Sequence, residues 1–481
     1  MSDTLPKLLK QKYELYGDRR IALRVKHHGI WPAYTWQDFY HNVKQLSLGL
    51  ISLGLEAGDK VAILGETKPE AYFTELATQA ANCVVVGVFT DCSIEEVKYY
   101  LEHSDCRFAV VQDQEQVDKL LAIKDDLPLL KKVIYWDPKG LWNYDDPILM
   151  DFKEVQRLGR EYEKEHPSLF EQKIENGKED DLALHLYTSG TTGLPKAAMT
   201  THKGLLNLVK TMSSLDNWQE GERYVAALSL AWIGEQLFGI GGTLVSGRIA
   251  HFPEKPELIQ ENYREIAPQV VFFGTRQWES LNRTVQAKIV DAHPLKRFFF
   301  RLFLPVGYKT GEVQSIKRFP LFWRALRFLA YLVVFRPLAD KLGLLGIRLA
   351  YTAGASISPV TVDFFKAIGI NIRQTYGSTE MSLITLHEMD DLNAESSGTP
   401  IRGTEVCISD EGEILVKGDM VYSGYYKDVE ATQEKHTDTG WYRSGDFGHI
   451  TDEGHLIVMD RMYDLVALAD GHRFSPQYIE T

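Results

Sequence analysis

Residues 183–204 read ALHLYTSGTTGLPKAAMTTHKG, an apolar run that empties into a glycine- and threonine-rich turn with one lysine. The run has the length and composition of a buried strand. In the turn, Gly190 and Gly193 permit tight backbone geometry, so that several N–H groups can point at one anion. Ser189, Thr191 and Thr192 add hydroxyl donors, and Lys196 adds a positive charge for a phosphate oxygen. Thr200 or Thr201 is placed to cap the helix predicted over HKGLLNLVKTMSSL. The spacing is not that of a Walker A loop, which requires GxxxxGK[ST]. A strand that delivers a phosphate-binding turn belongs to α/β architecture, and the flanking sequence agrees.

Upstream, KVAILGE (60–66), ANCVVVGVFT (81–90), RFAVVQD (107–113) and KKVIYWD (131–137) each read as a buried strand. Between them, SIEEVKYYLEHSD (93–105) has helical spacing, with Ser93 and Glu96 placed as a capping box. The alternation predicts parallel strands covered on both faces. The charge-dense stretch 152–180 predicts a solvated helix and linker. Downstream the pattern resumes in RYVAALSLAWIGEQLFG, QVVFFGTRQWES, IRLAYTAGASISP and INIRQTYGSTEMS. From about 398 it gives way to short strands and glycine turns, which predicts a smaller, β-rich unit.

With 481 residues, the chain is long enough for two to four packed units. A net charge of −13 argues against a nucleic-acid partner. The four cysteines, Cys83, Cys92, Cys106 and Cys407, lack metal-ligand spacing and read as reduced, mostly buried thiols of a cytoplasmic protein. The N-terminus has no apolar signal segment, and no apolar run approaches the ~20 residues of a spanning helix.

A second cluster lies in IRQTYGSTE (372–380). Tyr376 can stack on a purine, while Thr379 and Glu380 suit phosphate and Mg2+. Gly354 in YTAGAS lets a flat base lie against backbone. Asp446, in a predicted glycine turn, suits ribose hydroxyls, and Arg461 can donate to the sugar or a phosphate. Singly, each has a plainer reading: Asp446 as a turn cap, Tyr376 as core, Arg461 as surface. His185, His202 and Ser189 lie close in sequence, yet nothing supplies a third group for a hydrolytic triad.

Together YTSGTTGLPKAAMTTH, YTAGASISP, QTYGSTE, GWYRSGDFGHITDEGHLIVMDR and LVALADGHRFSPQYIE resemble the adenylate-forming, AMP-binding synthetases, and most of all the bacterial long-chain fatty-acyl-CoA synthetases. The resemblance implies an α/β adenylation core over 1–397, a β-rich subdomain over 398–460, and a hinge with the stub of a mobile C-terminal domain over 461–481. It implies that Thr188, Ser189, Gly190, Thr191, Thr192, Gly193 and Lys196 embrace the β- and γ-phosphates of ATP. Gly354, Ala355, Ser356, Gln374, Thr375, Tyr376 and Gly377 would line the adenine site, with Asp446 and Arg461 on the ribose. Thr379 would meet the α-phosphate and Glu380 would hold Mg2+. The implied reaction converts a fatty acid and ATP to acyl-AMP and pyrophosphate, then transfers the acyl group to coenzyme A. A ligase delivering to a carrier protein, a luciferase-like oxygenase, and an idle nucleotide-binding membrane scaffold share these motifs.

In LSLAWIGEQ (228–236), Trp232 stands where the family frequently has histidine. It either gates a hydrophobic acyl tunnel or fills it; the resemblance favours the gate. Phe273 and Gly274 form another pocket wall, or a plain buried strand and helix start. Residues 296–341 hold ten lysines and arginines against Glu312 and Asp340, interleaved with aromatic and aliphatic residues. This basic amphipathic insert predicts contact with an anionic membrane at the inner face of the cell membrane, or else an ordinary hairpin or homodimer interface. The family's hinge residue stands two positions after the ribose arginine; here that is Tyr463, followed by Asp464. The sequence stops at DGHRFSPQYIET. A truncated C-terminal domain is therefore expected, with weak adenylation and little thioester formation by the chain alone.

Overall fold

The structure is a computed structural model, and it describes residues 3–188, 193–311, 319–389, 391–418, 422–467 and 473–474. The chain divides into two compact units, Met1–Ile259 with Met420–Thr432, and Gln260–Asp419 with Gln433–Thr481.

In the first unit, the four β-branched runs become the strands Lys60–Leu64, Val84–Val88, Cys106–Val111 and Lys132–Tyr135. They lie in a seven-stranded sheet ordered Leu149–Asp151, Lys132–Tyr135, Cys106–Val111, Lys60–Leu64, Val84–Val88, Leu182–Thr188, Lys196–Thr201. All neighbours are parallel except the last pair, the hairpin that carries the glycine–threonine turn. Val84–Val88 is buried at every position, as a parallel strand covered on both faces must be. The helix Ile94–His103 starts at Ser93 with the full capping box to Glu96. A further set of strands places Ile21–Val25 between Ala33–Thr35 and Ile249–Phe252, with Arg223–Val225 parallel to the last.

The charge-dense stretch behaves differently from a solvated helix and linker. It forms two helices, Phe152–Glu165 and Leu169–Asn176, and the first presses one face against the helix Trp36–Ser52. A Cβ on Gly159 would stand 1.8 Å from the Gln45 carbonyl oxygen, so the two backbones meet where no side chain fits. Lys44 on the older helix is buried and answers Glu163 and Glu171, each at 2.8 Å. The charges therefore rim a packed face.

In the second unit, Val270–Gly274, Leu349–Ala353 and Ile372–Ser378 are parallel neighbours. Ser382–Leu386 and Thr399–Pro400 continue antiparallel. A four-stranded antiparallel sheet follows, ordered Thr404–Ile408, Glu413–Gly418, Tyr442–Ile450, Leu456–Arg461.

The basic insert forms the helix Pro294–Gly311 and a second run from Leu321 to Lys341 with a π-helical stretch at Tyr331–Phe335. The first helix buries Phe300, Phe303 and Val306. The second is turned inside out: Leu321, Phe322, Phe328, Leu329 and Leu332 face solvent, at helical spacing. Arg327 points inward instead, donating to the Ala367 carbonyl and lying 4.7 Å over the Phe335 ring. Among the described residues no helix is long and apolar enough to cross a membrane. The cysteines are unbridged, and Cys83, Cys92 and Cys106 are buried.

Candidate active site

The hairpin of the first unit sets Thr188 directly opposite Lys196. Ser189, Gly190, Thr191 and Thr192 lie outside the described residues; Gly193 is exposed. Both ends of the turn are tied to the helix Ile94–His103 and the residue after it. The Tyr187 hydroxyl lies 2.8 Å from His103 Nδ1 and 2.8 Å from Ser104 Oγ. The Tyr99 hydroxyl donates to the Pro195 carbonyl at 2.8 Å. Lys196 Nζ sits 3.1 Å from Asp428 Oδ2 and 5.5 Å from the Tyr425 ring centre. Of the two possible caps, Thr201 is the one used, its Oγ1 accepting from the Gly204 N–H at 3.1 Å.

The two histidines near this hairpin are structural. His202 is buried, and its Nδ1 accepts from the Leu5 N–H at 3.4 Å. Burial pushes His202 down to about 4 and His185 to about 3, so both rings are neutral at pH 7 and poor bases there.

Trp232 is half-buried and opens the short helix Ile233–Glu235. Behind it lies a polar network with no sequence forecast. Glu235 is fully buried and accepts from the Tyr72 hydroxyl at 2.6 Å and the Tyr224 hydroxyl at 2.9 Å. Glu75, also fully buried, accepts from Gln236 Nε2 at 2.9 Å. Burial pushes Glu235 up to about 8 and Glu75 up to about 7. The available signal was a glutamate inside each of two apolar segments, AYFTELA and AWIGEQL.

In the second unit, Gly354, Ala355 and Ser356 are exposed just beyond the strand Leu349–Ala353, and Gly354 has φ +97°, a value that favours glycine. Gln374 is buried and donates from Nε2 to the Ala394 carbonyl at 2.9 Å. The Thr375 hydroxyl donates to the Thr385 carbonyl at 2.7 Å. Their side chains therefore stitch the sheet. At Gly377 the hairpin closes so tightly that a Cβ would stand 1.9 Å from the Ser382 carbonyl oxygen. Thr379 and Glu380 form the turn of that hairpin, with Glu380 buried and Thr379 half-buried.

Tyr376, Asp446 and Arg461 come together. The Tyr376 hydroxyl donates to Asp446 Oδ2, and Arg461 Nη1 lies 3.0 Å from Asp446 Oδ1. Asp446 and Arg461 are register partners on adjacent strands. Asp446 is thus part of the strand Tyr442–Ile450 rather than a turn, although Gly445 before it has φ +77°. Burial pushes the Asp446 carboxyl above its usual range, against the pull of Arg461 and Tyr376. Burial works to lower the Arg461 guanidinium, yet Asp446, Tyr376, Tyr463 and Glu380 together hold it above its ordinary value.

Phe273 is buried, edge-on to Tyr263 at 5.1 Å and 4.9 Å from Trp278. A Cβ on Gly274 would meet nothing within 4 Å, so space opens where that strand becomes the helix Thr275–Val290. Tyr463 is exposed, and the Asp464 N–H returns to the Arg461 carbonyl at 3.1 Å. Among the described residues, no group of three or more histidine, cysteine or acidic side chains is gathered as a metal cage.

A family model described as AMP-binding enzyme matches residues 10–426. The chain is similar to the long-chain-fatty-acid–CoA ligase heimdall of Drosophila melanogaster, 30% identical over 99% of this chain and 72% of the relative. It is similar also to the long-chain-fatty-acid–CoA ligase ACSBG2 of Xenopus laevis, 28% identical over 98% of this chain and 65% of the relative. Among solved structures, the anthranilate CoA ligase AuaEII in complex with anthranoyl-AMP aligns with a TM-score of 0.75 at 18% identity, over 99% of this chain and 81% of that one.

Proposed function

The chain belongs to the family of AMP-binding enzymes, and from that premise we propose that it activates a long-chain fatty acid with ATP and passes it to coenzyme A. The observation that carries this reading is the family match, which takes in both the hairpin of Lys196 and the YGSTE segment; the names of the relatives suggest the acid.

In the first step a carboxylate oxygen attacks the α-phosphorus of ATP, the bond to the β-phosphate oxygen breaks, and pyrophosphate leaves with acyl-AMP behind. In the second, the thiol of coenzyme A gives up its proton to solvent, its sulfur attacks the acyl carbonyl, and AMP departs. The substrates supply both nucleophiles. The protein's contribution is alignment and neutralisation of charge on the transferring phosphoryl oxygens.

In our reading the turn from Thr188 to Lys196 takes the β- and γ-phosphates and Thr379 the α-phosphate region. Gly354–Ser356, with the strand Gln374–Gly377, forms the adenine site, and Asp446 with Arg461 the ribose site. Trp232 is read as an acyl gate, and Phe273 and Gly274, each taken by itself, as acyl-pocket wall residues. Residues 1–397 serve as the adenylation core and 398–460 as a β-rich subdomain, and Tyr463 and Asp464 serve as the hinge within 461–481. Mg2+ fits the donor set as a partner of the phosphates: one buried carboxylate, Glu380, beside the Thr379 hydroxyl, suits an ion that keeps most of its other ligands from substrate and water. That ion would neutralise phosphate charge. Glu380→Gln should then raise the Mg2+ concentration needed for half-maximal rate; an unaltered Mg2+ dependence defeats the assignment.

We also propose that 296–341 rests on an anionic membrane surface, supported by its basic charge and by the outward Phe328, Leu329 and Leu332. Repulsion between two copies of this basic face makes it a poor homodimer contact, so any dimer would use another surface.

The deciding experiment is acid-dependent ATP–pyrophosphate exchange with acids from acetate to oleate, followed by thioester formation with coenzyme A. Exchange that rises with chain length is expected. No exchange with any acid overturns the proposal, and acyl transfer to a carrier protein but not to coenzyme A would favour a carrier-protein acceptor.

A further inference from the structure

Lys196 already has an anionic partner, and that partner is held more firmly than the lysine. The segment before Asp428 is sewn along the strand Lys196–Thr201: the Ser423 N–H donates to the Met199 carbonyl at 2.8 Å, the Met199 N–H to Gly424 at 3.0 Å, and the Tyr426 N–H to Ala197 at 2.9 Å. The Tyr426 hydroxyl and Lys427 Nζ both reach Asp105, at 2.8 Å and 2.8 Å. Asp428 itself accepts the Ala431 N–H on Oδ1 at 2.9 Å, and its carbonyl accepts the Thr432 hydroxyl at 2.8 Å. Oδ2 is presented to Lys196 at 3.1 Å. The Ala431 N–H, outweighing burial, and then Lys196 hold the carboxyl below its usual range, so it is ionised throughout the neutral range.

Both side chains of the pair are about one-third exposed, 34% for Lys196 and 35% for Asp428. An ion pair so open to water contributes little to folding and is cheaply broken. Its consequence is electrostatic. A phosphate approaching Lys196 meets a fixed negative charge at the same ammonium group, and a lysine ammonium on a flexible stem can turn from one oxygen to another.

We propose that Asp428 is a positioning residue which holds Lys196 as a resting counter-ion, gives it up to the terminal phosphates of ATP, and takes it back as pyrophosphate leaves. The inference rests on the reading of Lys196 as a phosphate-binding residue. Its signature is a cost in affinity: the carboxylate weakens binding of anything that carries pyrophosphate and speeds its departure.

Asp428→Asn removes the charge and keeps a side chain able to cap the Ala431 N–H. Binding of magnesium pyrophosphate should be measured by calorimetry on the full chain, for the parent, D428N, K196A and the double variant. D428N is expected to bind pyrophosphate about fivefold more tightly, a figure equal to the conversion of a partly exposed charge interaction of ~1 kcal/mol. The KM for ATP should fall alongside, and turnover limited by pyrophosphate release should slow. K196A should weaken pyrophosphate binding and abolish most of the gain from D428N. A residue that merely capped a helix would, when changed, lower Tm without tightening any ligand. If K196A weakens binding while D428N leaves it unchanged or weaker, the exchange role is wrong and the Lys196 reading survives. If K196A leaves pyrophosphate affinity untouched, the Lys196 reading falls and this inference with it.

Discussion

Each unit carries one carboxylate–cation pair among its candidate nucleotide residues, and the two pairs are built in opposite ways. Asp446 and Arg461 are register partners on neighbouring strands, Asp446 is only 7% exposed, and Tyr376 adds a third contact. Asp428 and Lys196 are each about one-third exposed, and among the described residues the ammonium group meets the Asp428 carboxylate and the Tyr425 ring. In the first pair the carboxylate has lost most of its water and depends on its hydrogen bonds, while the guanidinium keeps part of its own. The second keeps much of its water and can trade partners at small cost. Burial, more than the identity of the charges, separates a fixed platform from an exchangeable contact.

The comparison breaks first at Lys196. Lys196→Ala should lower acid-dependent ATP–pyrophosphate exchange by at least a hundredfold, the scale of losing a group that stabilises transferring charge. Unfolding free energy should change by less than ~1 kcal/mol, because the pair lost is an exposed one. Urea unfolding beside the exchange assay checks both. A large stability loss with little loss of exchange would make Lys196 a structural residue.

Asp446→Asn should show the reverse weighting. It leaves Arg461 and Tyr376 without their shared acceptor charge, at a cost near 2 kcal/mol, less than a fully buried pair because the Arg461 side chain is 48% exposed. The KM for ATP should rise about tenfold through loss of a charge-assisted hydrogen bond to ribose. Tyr376→Phe keeps the ion pair and deletes the hydroxyl with its hydrogen bond to Asp446, so about 1 kcal/mol of stability is expected to go, read from the same urea curves. Equal losses for the two variants would mean that the tyrosine, and not the charge, holds the strands together.

How much of this was legible in the sequence follows from distance along the chain. Strands of continuous β-branched residues and the Ser93–Glu96 capping box are local patterns, and both formed where expected. The YGSTE segment could be singled out as a candidate because its polar chemistry is concentrated in five residues. The partner of Lys196 was not: Asp428 lies far downstream and reads as one more surface acid until strand pairing brings it alongside. Helical periodicity showed that the insert is amphipathic, but not which face turns inward; that was set by Arg327 finding the Ala367 carbonyl and the Phe335 ring. Glu235 and Glu75 were passed over because helical spacing places a residue on a face without saying that the face is dry.

Those two acids give the comparison a third member, a carboxylate buried among hydroxyl and amide donors, with no salt-bridge partner among the described residues. An acid raised from 4.5 to about 8, as Glu235 is by burial, holds a proton in the folded state that the unfolded chain has released. Stability therefore falls as pH rises from near 4.5 to near 8 and levels off above, by up to ~1.4 kcal/mol per pH unit for one whole proton. Asp428, whose carboxyl is lowered, contributes with the opposite sign: its small stabilisation is present at neutral pH and lost as pH falls into the acid range. Glu235→Gln keeps the shape and removes the titration. Because Glu75 still titrates near 7, the variant should retain a decline below pH 7 and lose it between pH 7 and 8. Urea midpoints at half-unit steps from pH 5 to 9 test this. A midpoint that keeps falling between pH 7 and 8 in the variant would assign that slope to another group and leave Glu235 ionised in its bed of tyrosines. A midpoint that flattens there would show that a buried carboxyl held by neutral donors remains protonated near neutral pH, whereas Asp428, open to water, remains charged.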